Sequence, residues 1–533
     1  MSKSAKASFL KGAIIIAFAN ILVKVIGAAF KIPLARFVLG PDGMGIYNTA
    51  YTVYNWLFVI STAGLPVAIS KMVSESIAER NYEEAKKIFR VSRYFLTLVG
   101  LSFTLILLIW ARPFADFFKS PSAYYSILAM APSLFFVGLM SSYRGYFQGM
   151  QNMIPTAASQ IFEALGKLVI GLFLGLYFLP LGKEYASAGA IIGVSSGTIF
   201  GVFVLILCYF RYKKRSLSLI HAQNRQNTLP ARRILKNLIW IAVPITLGTS
   251  VFTLTNMIDV YMIKERLMSL GWSEMLRETW YGYYSGYAVT MFNLPLTVVI
   301  ALGISVVPAI ASALAVYNQK NAQKLTESVL RVTVLFSVPC SIGLIFFAGP
   351  ILNLLYADTN ATTLLQILGL SAVTMSLVTI SNSILQAAGK MWLPVVNSVI
   401  GCVFKIIINF ILVGIPSVNI NGAPIATNVC YLVIVVLNLI AVKRILKVHY
   451  KVGEFLVRPL VSGLLMGIAT AFLHDYLVNY IGGFFALLLT IIAAMMLYIL
   501  ALLLVKGLKR EDLSMVVQGK NLDFLLDKFK ILK

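Results

Sequence analysis

Residues 487–504 read LLLTIIAAMMLYILALLL, eighteen positions without a charge, a glycine or a proline. A run of that length and character has the dimensions of a membrane-spanning helix. The other way to satisfy backbone groups in lipid is a closed β-barrel, whose strands alternate apolar and polar residues. No such alternation is present in this run, so its reading is helical.

Runs of the same kind recur back to the N-terminus. Fourteen are separated by polar breaks, at about 12–38, 46–72, 94–117, 124–147, 156–180, 187–210, 238–262, 283–314, 332–356, 362–387, 393–414, 421–442, 459–480 and 483–505. Most breaks are short and carry Gly, Pro or Asn, which makes neighbouring helices antiparallel. Composition agrees: of 533 residues, 59% are hydrophobic and 12% charged. Soluble domains carry about 25% charged residues. The expected fold is an all-α polytopic membrane protein of about fourteen transmembrane helices. A secreted disulfide scaffold, a nucleic-acid-binding domain and an ordinary soluble enzyme are excluded. Cys208, Cys340, Cys402 and Cys430 lie inside apolar runs and read as small core residues. The first run is too long for a cleavable signal peptide.

Charge sets the orientation. With the N-terminus inside, the inner segments hold 32 Lys and Arg and the outer ones 6. That asymmetry predicts N-in, C-in topology in the plasma membrane. It also accounts for most of the net charge of +25 without a nucleic-acid partner.

The chain repeats itself. Residues 146–174, YFQGMQNMIPTAASQIFEALGKLVIGLFL, match residues 384–412, ILQAAGKMWLPVVNSVIGCVFKIIINFIL. Each has a Gln (Gln148, Gln386), a small turn, a Pro (Pro155, Pro394), and a Lys buried in the following helix (Lys167, Lys405). Two further landmarks keep their order, from Gly64 and Gly303 and from Ser187 and Ile420. Six spans per half is an even number, which predicts two lobes of the same orientation about a pseudo-twofold axis. The expected organisation is an N-terminal lobe at 1–210, a basic cytoplasmic linker at 211–236, a second lobe at 237–445, and two extra helices with a basic tail at 446–533. Two such lobes around a cavity are a transporter plan.

Seven basic residues fall within spans: Lys24, Lys31, Arg36, Lys71, Arg144, Lys167 and Lys405. A charge inside the bilayer is costly, so it faces a watery cavity or a partner. Lys24 and Lys31, seven apart, share one helix face. Glu163 and Lys167 are four apart and could neutralise each other, leaving Lys24, Lys31 and Arg144 as a cationic surplus in the first lobe. Arg36 and Lys71, near span ends, could instead snorkel. Unpaired cations suit an anion, and phosphates are the usual match for Arg and Lys. Tyr47 and Tyr51 open the second span with Asn55. With Gln148 they are candidate saccharide contacts, although an interfacial aromatic belt explains the tyrosines equally well. In the second lobe, Asp259 and Asn256 with Lys405, Asn409 and Thr427 form either a buried ion pair or a cation site coupling Na⁺ or H⁺. His221, His449 and His474 are isolated and make no metal site. The segment 264–280 reads as an amphipathic helix on the outer surface. A membrane enzyme and a channel are the competing classes, and neither finds its usual residues: no interfacial cluster of carboxylates or histidines, and no filter-like repeat.

Residues 24–51, KVIGAAFKIPLARFVLGPDGMGIYNTAY, with 64–75, GLPVAISKMVSE, and 143–163, YRGYFQGMQNMIPTAASQIFE, resemble the polysaccharide-transporter branch of the multidrug/oligosaccharidyl-lipid/polysaccharide (MOP) exporter superfamily. The chain looks most similar to the MurJ-type lipid II flippases and their stage V sporulation protein B relatives. The resemblance implies a flippase for an undecaprenyl-pyrophosphate-linked saccharide, driven by membrane potential or an ion gradient, with no organic cofactor. Its partners would be the lipid-linked glycan, membrane lipids and the cell-wall synthesis machinery. It also implies that Lys24 and Arg144 occupy the family's basic positions and Asp259 its cation site. Phe30 stands where a second first-helix Arg is expected, with Lys31 beside it.

Overall fold

The computed structural model describes residues 3–220, 228–448, 453–505 and 507. His221 and His449, part of the basic linker and nearly all of the C-terminal tail lie outside them. The described residues form helices and turns with no strand. Among the described residues, eleven helices are long and apolar enough to cross a bilayer. Their outward faces fit lipid: on α17 (Gly483–Leu504), Leu488, Met495, Met496 and Leu500 are all exposed.

The remaining three expected spans are broken or modified helices. The first, α1 (Lys3–Pro33), meets Pro33, which has no N–H to donate. The chain continues through a π-helical turn, Leu34–Leu39, and ends at Gly40 with φ of 64°. That turn leaves Arg36 exposed beside Phe37. The second expected span is two helices, α2 (Gly40–Thr62) and α3 (Gly64–Ala78), separated at Ala63 just ahead of Pro66. Lys71 lies on α3, exposed, 3.8 Å from Glu75. The eighth opens with another π-helical turn, Tyr283–Ala288, before α10 (Val289–Ala315).

The chain divides into two compact units, 1–282 and 283–533. The first contains α1 to α3, α4 (Tyr82–Phe117), α5 (Tyr124–Gly149), α6 (Ile154–Phe178), α7 (Lys183–Ile220), α8 (Ala231–Ser269) and α9 (Glu274–Gly282). Charge and repeat patterns assign α8 to the second lobe, yet it packs on α2, α3 and α4. Gly64 permits this: a Cβ there would stand 2.2 Å from the Ala242 carbonyl oxygen. The tightest pairing is α6 on α7. Gly189, Gly193, Gly197 and Gly201 recur every four residues and let the α6 backbone approach, with Gly197 against the Glu163 carbonyl and Gly193 against Gly171.

The second unit contains α10, α11 (Gln319–Phe346), α12 (Ala348–Tyr356), α13 (Thr362–Ala387), α14 (Trp392–Leu412), α15 (Gly422–Leu446), α16 (Arg458–Ile481) and α17. Asn318 caps α11 by accepting from the Asn321 N–H at 3.0 Å, as Asn81 caps α4 by accepting from Glu84 at 3.1 Å. Buried amides join its core: Asn397 donates to Asn438, which donates to Ser381 and Asn382. The extra pair α16 and α17 pack together, with His474 buried between Phe347 and Thr490.

Candidate functional site

The first unit concentrates the intramembrane charge. Lys24 stands exposed on α1, and Lys31 is half-buried two turns on. Lys167 of α6 lies over two rings, 5.0 Å from the Phe30 centroid and 4.9 Å from that of Tyr51. Lys24 and Lys31 lie on α1, which packs on α6, the helix that carries Lys167. The three cations are thus carried by two packed helices, α1 and α6. None of the three has a carboxylate within ion-pair contact among the described residues.

Glu163 pairs with Arg144 rather than Lys167. Arg144 donates through Nη2 to Glu163 Oε2 at 2.8 Å and through Nε to Ser159 Oγ at 3.0 Å. The unpaired surplus expected at Lys24, Lys31 and Arg144 is thus located at Lys24, Lys31 and Lys167. Glu163 and Lys167 stand one turn apart on α6 without ion-pair contact.

The aromatic floor is α2. Tyr47 is fully buried and stacks on Tyr51 at 5.9 Å, and Tyr51 meets Tyr54 at 5.7 Å. The Tyr47 hydroxyl has no hydrogen-bond partner among the described residues. Tyr47 and Tyr54 are buried inside the unit and Tyr51 is half-buried. Asn55 and Gln148 are half-buried, and Arg36 holds its guanidinium 5.2 Å from the Phe37 ring.

Asp259 is buried on α8 in the first unit, with Asn256 exposed one turn earlier. Lys405 and Asn409 are buried one turn apart on α14 of the second unit. Thr427, buried on α15, lies 3.4 Å from the Tyr284 hydroxyl. Among the described residues no cluster of His, Cys, Asp or Glu could hold a metal ion.

One buried group escaped sequence reasoning. Lys264 is 0% exposed and Glu278 2% exposed. The Lys264 ammonium donates to Glu278 Oε1 at 2.5 Å and to Thr49 Oγ1 at 2.6 Å. The segment 264–280 is two-sided: Lys264, Leu267, Arg277 and Glu278 are buried, while Met268, Met275 and Leu276 are exposed. Its first turns extend α8, and α9 packs on α2. The segment carries six charges, Lys264, Glu265, Arg266, Glu274, Arg277 and Glu278, and its sequence does not mark which two are buried as a pair.

A model of the family described as polysaccharide biosynthesis protein matches residues 9–313, more than half of the chain. The chain belongs to that family. The MatE family model matches residues 285–411. Stage V sporulation protein B of Bacillus subtilis is 26% identical over 520 residues, covering 96% of this chain and 98% of the relative. Lipid II flippase MurJ of Bacillus subtilis is 25% identical over 501 residues, covering 89% of each. A solved structure of lipid II flippase MurJ in an inward closed conformation superposes with a TM-score of 0.68 at 16% identity, over 92% of this chain and 98% of that one. An inward-facing multidrug resistance MATE transporter of the MOP superfamily gives 0.66 at 14%, over 82% and 99%. This polysaccharide biosynthesis family member therefore has the MOP-type all-helical fold, and the resemblance read from residues 24–51, 64–75 and 143–163 is borne out. With eleven apolar helices it is a multi-pass membrane protein.

Proposed function

We propose that the protein is a flippase moving an undecaprenyl-pyrophosphate-linked cell-wall precursor, foremost lipid II, across the plasma membrane by alternating access. It is a secondary transporter of the MOP type rather than an enzyme. The observation that carries the cargo reading is the grouping of Lys24, Lys31 and Lys167 without a contacting carboxylate. Insertion scales put each cation at a helix centre at about 2.5–3.5 kcal/mol. A protein that keeps three together holds a site for a multiply charged anion, and a pyrophosphate supplies that charge compactly. Tyr51, half-buried beside the cations, is the aromatic candidate for contact with a sugar, and Tyr47 backs it from the core. Arg144, tied to Glu163, positions α5 against α6. Coupling would run through Na⁺ or H⁺, with Asp259 as the group that takes the cation.

The test is the appearance of lipid II at the outer surface of cells depleted of their own flippase and supplied with this protein. Restored exposure supports the reading, and Lys31→Glu is expected to abolish it. Normal exposure with Lys24→Glu, Lys31→Glu and Lys167→Glu would overturn the anion site. The sporulation-protein relative favours a second reading, in which the cargo is a spore-cortex or other lipid-linked glycan. In that case exposure is restored only for that glycan. Export of a cationic dye with neither glycan moved would identify a multidrug-type exporter instead.

A further inference from the structure

A second basic site lies at the end of the first unit where charge asymmetry places the cytoplasm. A cavity of about 150 Å³ opens between α4, α5 and α7. Arg90 and Arg93 of α4 are its cations, and Phe89, Tyr146, Tyr209 and Tyr212 form its walls. The rings make one interlocked floor: Phe89 is 4.6 Å from Tyr146 and 5.2 Å from Tyr209. Arg93 lies with its guanidinium carbon 5.6 Å from the Phe89 ring and 5.5 Å from that of Tyr94, with the Tyr143 hydroxyl beside it. Stacking fixes the plane of a guanidinium while leaving N–H groups at its edge for another acceptor.

Neither Arg90 nor Arg93 has a carboxylate in ion-pair contact among the described residues. Lys86, at the rim, is held by Glu83 at 3.4 Å. A notch of two unmatched guanidiniums, walled by aromatic rings and phenol hydroxyls, has the size and donor set for one phosphate group. Its place at the basic end of a membrane protein sets it against an anionic leaflet.

We propose that this cavity binds the phosphate of an anionic phospholipid headgroup from the cytoplasmic leaflet. The site shares no residue with the Lys24–Lys31–Lys167 cluster, and its occupant is a resident lipid rather than the transported cargo.

Native mass spectrometry of the delipidated full-length protein tests this with phosphatidylglycerol, phosphatidylcholine and inorganic phosphate as separate probes. Phosphatidylglycerol is expected to be retained, phosphatidylcholine not. Retention should fall about tenfold in Arg90→Gln/Arg93→Gln and clearly in Arg90→Gln alone. The single variant guards against misfolding, since Arg90 is exposed. Arg232→Gln/Arg233→Gln removes the same charge from α8 and is expected to leave retention unchanged. Equal loss in that control, or equal retention in all variants, would overturn the site. Competition by millimolar phosphate as effective as by the lipid would overturn the lipid source and assign the cavity to a soluble phosphate.

Discussion

Arg144 and Glu163 join α5 to α6 through a 2.8 Å ion pair, with Ser159 accepting from the same guanidinium. The consequence is that Lys167, four residues from Glu163, is left over the rings of Phe30 and Tyr51. Glu163→Gln should therefore weaken the α5–α6 contact by about 1–2 kcal/mol while raising the positive charge of the cluster. The measurements are a thermal melt of the purified protein and its affinity for a pyrophosphate-bearing lipid. The melt is expected to fall and the affinity to hold or rise.

Reversal at Lys167 acts in the opposite sense. Lys167→Glu places a carboxylate where a pyrophosphate would sit and should weaken its binding about a hundredfold, roughly 3 kcal/mol. Lys167→Arg keeps both the charge and the packing over Phe30 and Tyr51 and should retain most of it. Complementation of a flippase-depleted strain checks both variants.

The buried Lys264–Glu278 pair predicts strong non-additivity. Lys264→Met alone strands the Glu278 carboxylate, and Glu278→Leu alone strands the ammonium. Each should cost about 3–5 kcal/mol, whereas the double variant should stand close to wild type. Expression and melting of the three proteins give the double-mutant cycle. An additive double variant would mean that the two groups do not stabilise each other.

Two glycines should behave in opposite ways. A Cβ at Gly45 would stand 2.1 Å from the Glu278 carbonyl oxygen, so Gly45→Ala should push α9 off α2 and reduce the folded yield. A Cβ at Gly27 meets nothing within 4 Å. Gly27→Ala should therefore fold at least as well as wild type, gaining about 0.5–1 kcal/mol from helix propensity. Thermal melts of both proteins decide it.

The all-helical fold was legible because apolar run length is nearly sufficient for a membrane helix. The cationic surplus in the first unit was legible for a related reason, since charges are rare there and stand out. What could not be read was which cation each acid would take. Glu163 has Lys167 one turn away on its own helix, and only the docking of α5 brings Arg144 closer. The π-helical turn after Pro33 and the break at Ala63 were hidden too, because both lie inside runs whose composition alone reads as continuous. Lys264 was assigned to a loop for want of apolar length beyond residue 262. Burial there comes from α2 and α9, which a hydropathy reading of α8 does not include.

The attachment of α8 to the first unit changes what the linker connects. Residues 221–227 run between α7 and α8, two helices of the same compact body, so the covalent bond there is redundant with noncovalent packing. Two separately encoded fragments, one ending near residue 220 and one beginning near residue 228, should reassemble in the membrane and co-purify. The later fragment would carry α8 as its own anchor into the earlier one.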